Sequence, residues 1–150
     1  MAPCIFCDIV TGRSPAHVVW EDGEHLAFLS IFPNTEGVTV VIPKTHHPSY
    51  IFDLPTEVLN KLIGATRTVA KILDTKLADV GRTGLIFEGF GVDHVHAKLI
   101  PMHGTRMSEW RPINSSERKF FPTYEGFISS HDGERASDAD LARLAALLRS

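Results

Sequence analysis

The chain predicts an α+β domain: an antiparallel sheet of about five strands, one long helix and a C-terminal helix. Three observations predict it. Short β-prone runs in the first half are separated by tight turn signals, one central segment carries apolar residues at helical spacing, and two more β-prone runs precede a terminal amphipathic stretch. Strands joined by short turns pair antiparallel, because a parallel pair needs a long crossover.

The first three strands are Val18-Val19-Trp20, His25 to Ile31 and Val38 to Ile42, with turn formers Glu21-Asp22-Gly23 and Pro33-Asn34-Thr35-Glu36-Gly37 between them. The long helix is expected from about Pro55 to Asp79. There, after Asp53 as a candidate cap, Leu59, Leu62, Ile63, Thr66, Val69, Ala70, Leu73 and Leu77 recur at helical spacing, and the pattern stops near Gly81. Gly84 to Gly89 and His94 to Ile100 are the remaining strands. A surface loop is expected from Gly104 to Glu117, where Pro112 and Ser115-Ser116 interrupt regular patterning, and Ser137 to Arg149 forms the terminal helix with Leu141, Leu144, Ala145 and Leu148 on one side. No repeat or Gly/Ser linker divides the 150 residues. The expectation is therefore a single domain, with a motif-bearing core over 1–101 and a loop-and-helix extension over 102–150.

Composition excludes several function classes. The chain is 43% hydrophobic and 22% charged, and its apolar stretches run only a few residues, Val38 to Ile42 being interrupted already by Thr39. That is far short of the roughly 20 apolar residues that span a bilayer, so no membrane partner is expected. Met1 to Asp8 lacks the basic region and apolar core of a secretory signal, which makes the expected location cytoplasmic. A net charge of −3 offers no basic field for a nucleic-acid polymer, while a small phosphorylated ligand is compatible with it. Cys4 and Cys7 are the only cysteines, and a reducing compartment would not keep them as a structural disulfide, which directs attention to metal or redox chemistry.

Chemistry concentrates in His94-Val95-His96-Ala97-Lys98-Leu99-Ile100-Pro101. Side chains alternate along a strand, so His94, His96 and Lys98 project together while Val95, Ala97 and Leu99 face the core. Three cation-capable groups in a row make an anion site or a metal edge; the plainer reading is an exposed strand face that carries histidines. Cys4-Ile5-Phe6-Cys7 can supply two thiolates to a tetrahedral zinc, with histidines from His46-His47 and His94 completing it. Its alternatives are half-buried small side chains or a thioredoxin-type pair, although no βαβ pattern surrounds it. Gly84, Gly89 and Gly91 precede the histidines, where bare backbone can approach a phosphate; an ordinary hairpin turn is the plainer reading.

In this order the blocks resemble the histidine triad (HIT) superfamily, whose members carry His-φ-His-φ-His-φ-φ on a strand, φ being apolar. Here the segment is His94-Val95-His96-Ala97-Lys98-Leu99-Ile100, and Cys4-Ile5-Phe6-Cys7-Asp8-Ile9-Val10, Leu26-Ala27-Phe28-Leu29, Pro33 with Gly37, and Val41-Ile42-Pro43-Lys44-Thr45-His46 stand in family order. The resemblance implies a HIT-like fold and a nucleotide phosphate hydrolase or nucleotidyl transferase acting through a nucleotidyl-histidine. His96 would be its nucleophile and Lys98 its charge at the third triad position. A non-catalytic nucleotide- or phosphate-binding protein with a structural zinc is the alternative. It further implies ligand contacts at Phe28, Ser30, Gly89 and Gly91, a structural zinc on Cys4, Cys7, His46 and His94, with His47 as fallback for His46, and a homodimer.

The departures from the family pattern are specific. Lys98 stands where the third histidine is usual, Ser30 where an aspartate binds ribose hydroxyls, Phe90 where glutamine follows a glycine, and Gly91 or Val92 where a serine precedes the first histidine. Uridylyltransferases of the superfamily also replace the third histidine, with glutamine. A backbone carbonyl is expected to hold the His96 tautomer. His103 is a candidate proton donor, and its plainer reading is a surface-loop residue.

Overall fold

The computed structural model describes residues 3–150. The chain divides into two compact units, up to Glu109 and from Trp110 to Ser150. In the first, β1 (Val18–Glu21), β2 (His25–Leu29), β3 (Thr39–Pro43), β4 (Arg82–Ile86) and β5 (Ala97–Met102) form one sheet in the order β1-β2-β3-β5-β4. Every neighbouring pair is antiparallel. Helix α1 covers Ile5–Val10 and helix α2 covers Thr56–Lys76.

Turn chemistry sets the meander. Asp22 Oδ1 accepts from the N–H groups of Glu24 at 2.8 Å and His25 at 2.6 Å, closing the β1–β2 turn. Gly37 (φ 92) takes the left-handed conformation that starts β3. Pairing of Phe28 with Val40 and of Val40 with Lys98 aligns the three central strands.

Each face of the sheet has its own cover. Leu62, Ala65, Val69 and Leu73 of α2 pack with Ala27, Val41, Val95, Ala97 and Leu99. On the opposite face, Phe6 of α1 packs with Leu26, Phe28, Val40 and Ile42. Central strand β3, covered on both sides, is buried along its whole length.

Several boundaries differ from the sequence expectation. Helix α2 is shorter than Pro55 to Asp79, because Pro55 is its extended cap (ψ 141) and Asp53 belongs to a 3-10 turn, Ile51–Asp53. At its far end Leu77 leaves the helix (φ −95, ψ 110), which frees the Asp79 carbonyl to accept from Thr105 and Arg106. Strand β4 is displaced toward the N-terminus and ends at Ile86, so Gly84 lies inside a strand and not in a turn. Strand β5 begins at Ala97 and not at His94. The β3–β5 register, carried two residues past the Val41–Ala97 pair, sets Val95 against Pro43, which has no N–H to donate. Val95 N–H instead bonds the His47 carbonyl at 3.0 Å.

In the second unit the irregular chain runs on to the terminal helix α3, Asp138–Arg149, whose cap Ser137 accepts from Asp140 N–H at 3.1 Å. Phe121 meets Phe127 and His131 edge-on, each at 5.5 Å between ring centroids. No described residue of this unit is buried.

Candidate metal centre and active site

Four side chains from three parts of the first unit converge. Cys4 caps α1, its Sγ accepting from Cys7 N–H at 3.3 Å, so both thiols lie at the first helical turn. His46 comes from the loop after β3, and His94, fully buried, from the segment leading into β5. The His94 Nδ1 atom lies 3.5 Å from Cys4 Sγ, 3.6 Å from Cys7 Sγ and 3.2 Å from His46 Nδ1, and Cys7 Sγ lies 3.4 Å from His46 Nδ1. All four donor atoms fall within 4.8 Å of one another.

These separations fit one ion. A tetrahedral zinc with its usual Zn–S and Zn–N bond lengths sets neighbouring donors about 3.3–3.8 Å apart. His94 is also in the right form: its Nε2–H donates to the Pro43 carbonyl at 2.9 Å, leaving Nδ1 with a lone pair toward the cluster. Burial, with His46 and His96 nearby, pushes its pKa below the ordinary histidine value, which keeps the ring neutral as a ligand must be. Burial and the adjacent Cys4 push the Cys7 thiol up, the opposite of what a bound cation would do. His47, the fallback ligand, is elsewhere, lining a separate cavity with His25 and Lys61.

His94 links this cluster to the neighbouring site through its backbone. Its carbonyl accepts from His96 Nδ1–H at 2.8 Å, which leaves the His96 Nε2 lone pair free. Phe6 buttresses both rings edge-on, at 5.8 Å from His94 and 5.1 Å from His96 between centroids. Lys98, half-buried two residues on, is flanked by Val40 of β3 and Ile86 of β4. Among the described residues, no hydrogen bond or ion pair engages the Lys98 side chain. A nucleophilic imidazole, a hydrogen-bonded tautomer and a cation beside it suit attack on a phosphorus centre.

The other expected site residues are placed as follows. Phe28 is buried beneath α1, edge-on to Phe6 at 5.4 Å, in the apolar floor of this face. Ser30 accepts at Oγ from Phe32 N–H at 3.2 Å. Gly89 (φ +81) is required by a close backbone approach, since a Cβ there would lie 2.9 Å from the Ser49 carbonyl oxygen. Gly91 borders a cavity of about 440 Å³ shared with Cys4, His46 and Asp93.

His103 is neither a free donor nor a loose surface residue. Its Nδ1 meets Asp79 Oδ1 at 2.9 Å and its Nε2 the Glu36 carbonyl at 2.6 Å, so both nitrogens are engaged. Those acceptors raise its pKa above the ordinary histidine value, the Glu36 carbonyl contributing most. Sequence reasoning missed Phe6 as a shared support and the Pro43 carbonyl as the group orienting His94. The first signal was available in Cys4-Ile5-Phe6-Cys7, whose inner aromatic residue lies on the same helical turn as both thiols.

Comparison with known proteins agrees with this fold. The HIT domain family matches residues 11–105, which lie within the first unit. An uncharacterized HIT-like protein of Mycobacterium tuberculosis is 38% identical over 112 residues, covering 71% of this chain and 76% of that protein. An adenosine 5'-monophosphoramidase of Saccharomyces cerevisiae is 34% identical over 100 residues, covering 67% of this chain and 63% of that protein. Among solved structures, a Streptococcus mutans protein superposes with a TM-score of 0.71 at 26% identity, covering 99% of this chain and 85% of that one. A HIT-family protein of Bacillus subtilis gives a TM-score of 0.65 at 26% identity over 99% of this chain and 96% of its own. With a domain match over most of the first unit and a relative 38% identical over 71% of this chain, the chain belongs to the HIT family.

Proposed function

We propose that the protein is a nucleotide phosphate hydrolase or nucleotidyl transferase that works through a nucleotidyl-histidine on His96. The observation that carries this reading is the 2.8 Å bond from His96 Nδ1–H to the His94 carbonyl, which leaves Nε2 as an oriented nucleophile beside Lys98. The family membership supports nucleotide chemistry, and the yeast relative's name supports hydrolysis of a phosphorus–nitrogen bond by that relative.

In this mechanism Nε2 attacks the α-phosphorus, the bond to the leaving group breaks, and water or a second acceptor then displaces the imidazole. The His94 carbonyl stabilises the ring as it gains positive charge, and Lys98 opposes the charge that builds on the phosphoryl oxygens. Phe28 contributes to the apolar floor, Ser30 offers a hydroxyl to the sugar, and the backbone at Gly89 and Gly91 borders the phosphate. Cys4, Cys7, His46 and His94 would hold a structural zinc, whose chemical contribution would be to cross-link α1, the loop after β3 and the segment leading into β5. Residues 1–101 carry the chemistry and 102–150 extend the same domain; the protein works as a homodimer in the cytoplasm. Among the described residues, no helix is long and apolar enough to cross a membrane.

A second reading is a nucleotide-binding protein with negligible turnover. Ser30 favours it, since it brings no carboxylate to a ribose where the family pattern has an aspartate. Intact-mass measurement after incubation with dinucleotides and nucleoside phosphoramidates decides between the two. A nucleotidyl adduct on His96 supports catalysis, and binding without adduct or turnover supports the second reading.

A further inference from the structure

We infer that Lys98 makes this site selective for substrates whose leaving group departs as an oxyanion, that is, nucleotide phosphoanhydrides in preference to nucleotide phosphoramidates. The inference rests on His96 as nucleophile and deepens that reading by naming the substrate class.

Three observations carry it. Lys98 follows His96 by two residues on one face of the sheet, and its cross-strand neighbours there are Val40 and Ile86, both apolar. It is half-buried, and among the described residues no carboxylate lies within ion-pair distance of it. A cation so placed, in surroundings of lowered dielectric, favours an anion beside His96 more strongly than an exposed lysine would. Apart from the nucleophile His96, the histidines nearest Lys98 along the chain have their ring nitrogens committed elsewhere. His94 Nε2–H is bonded to the Pro43 carbonyl, and His103, beyond the end of β5, has both nitrogens engaged by Asp79 and Glu36.

The two substrate classes make different demands on this arrangement. With an anhydride, the Nε2–P bond forms as the bridging P–O bond breaks, and the electron pair leaves on a phosphate oxygen that needs no proton. Water then attacks phosphorus, the P–Nε2 pair returns to the ring, and the water's proton passes to solvent. With a phosphoramidate, the electron pair leaves on nitrogen, and that nitrogen must take up a proton as the P–N bond breaks. A lysine ammonium holds its proton far more tightly than an imidazolium does, so it stabilises charge well and donates protons poorly.

The test compares kcat/KM for a matched pair, diadenosine triphosphate and adenosine 5'-phosphoramidate, with the corresponding guanosine and uridine pairs alongside. The natural protein is expected to favour the anhydride by about 100-fold, the scale of a general acid's contribution. Lys98→His should narrow that ratio by about tenfold or more by restoring a proton donor, and Lys98→Gln should slow anhydride cleavage by about 100-fold or more. Comparable cleavage of both substrates by the natural protein, or a ratio unmoved by Lys98→His, overturns the inference and leaves His96 as nucleophile intact. Failure to cleave either substrate, with no adduct on His96, overturns both. The ratio in the natural protein needs no variant, so a poorly folding substitution does not remove the test.

Discussion

Val95, Ala97 and Leu99 are buried against α2, whereas His94, His96 and Lys98, interleaved with them, face the opposite side of the sheet, where α1 brings its cysteines. One short stretch of chain therefore supplies the core with three apolar residues and the site with three polar ones, because extended backbone alternates its side chains. The pairing teaches that stability and chemistry are separable here by a single residue step. It also shows that a one-residue slip would exchange them, setting charged groups against α2 and apolar ones in the site. Pro43 guards against that slip: lacking an N–H, it ends the β3–β5 ladder where the histidines begin.

Substitutions on the two sides should fail in different ways. The largest effect belongs to His96→Ala, which should abolish nucleotidyl transfer and the mass adduct while leaving the urea unfolding midpoint nearly unchanged. Unfolding of this variant along with its loss of activity would break the separation. Next comes the metal. Protein purified without added zinc should carry about one equivalent, and Cys7→Ser should lose it and melt at a markedly lower temperature; metal analysis finding well under one equivalent in the natural protein counts against the site.

On the core side, Leu99→Ala should cost about 2–5 kcal/mol of folding free energy by urea titration, the usual range for a buried leucine. Its folded fraction should still form the adduct on His96. The smallest effect is expected at His103, away from both faces. A histidine whose folded pKa is raised contributes stability that is fully present below its unfolded value, near pH 6.5, and is lost as pH rises through the higher folded value. The melting temperature of the natural protein should therefore decline slightly over that alkaline interval, and the decline should be absent in His103→Gln. NMR titration giving His103 an ordinary or lowered pKa would contradict this.

Much of this arrangement is legible in the order of the residues. The alternation from His94 to Ile100 separates the polar from the apolar positions as the folded chain does, and the spacing of Leu62, Thr66, Val69 and Leu73 marks the buried side of α2. These are properties of covalent geometry, since the repeats of strand and helix impose themselves on any sequence that pairs or coils. Cys4 and Cys7 are likewise recognisable as a candidate chelating pair from their spacing, although the helical turn of α1 that brings them together is not foreseen.

Other features belong to contacts between distant segments, which no local pattern encodes. Adjacent His46 and His47 are equivalent by type, and only the path of the loop after β3 sends one to the cysteines and the other to a cavity beside Lys61. The start of β5 at Ala97 depends on which residue of β3 comes to lie opposite Val95. A backbone carbonyl is the expected support for the His96 tautomer, and a local one, that of His94, supplies it, whereas the tautomer of His94 itself is held by the distant Pro43 carbonyl. His103 becomes a tether because the chain returns past Asp79 and Glu36, far from it in sequence. The sequence alone thus determines the sheet's alternation, the helix's buried side and the kinds of chemical group present. Tertiary structure decides which donors converge, which tautomers they hold and where the ladder stops, because those outcomes depend on distances between segments that only packing brings together.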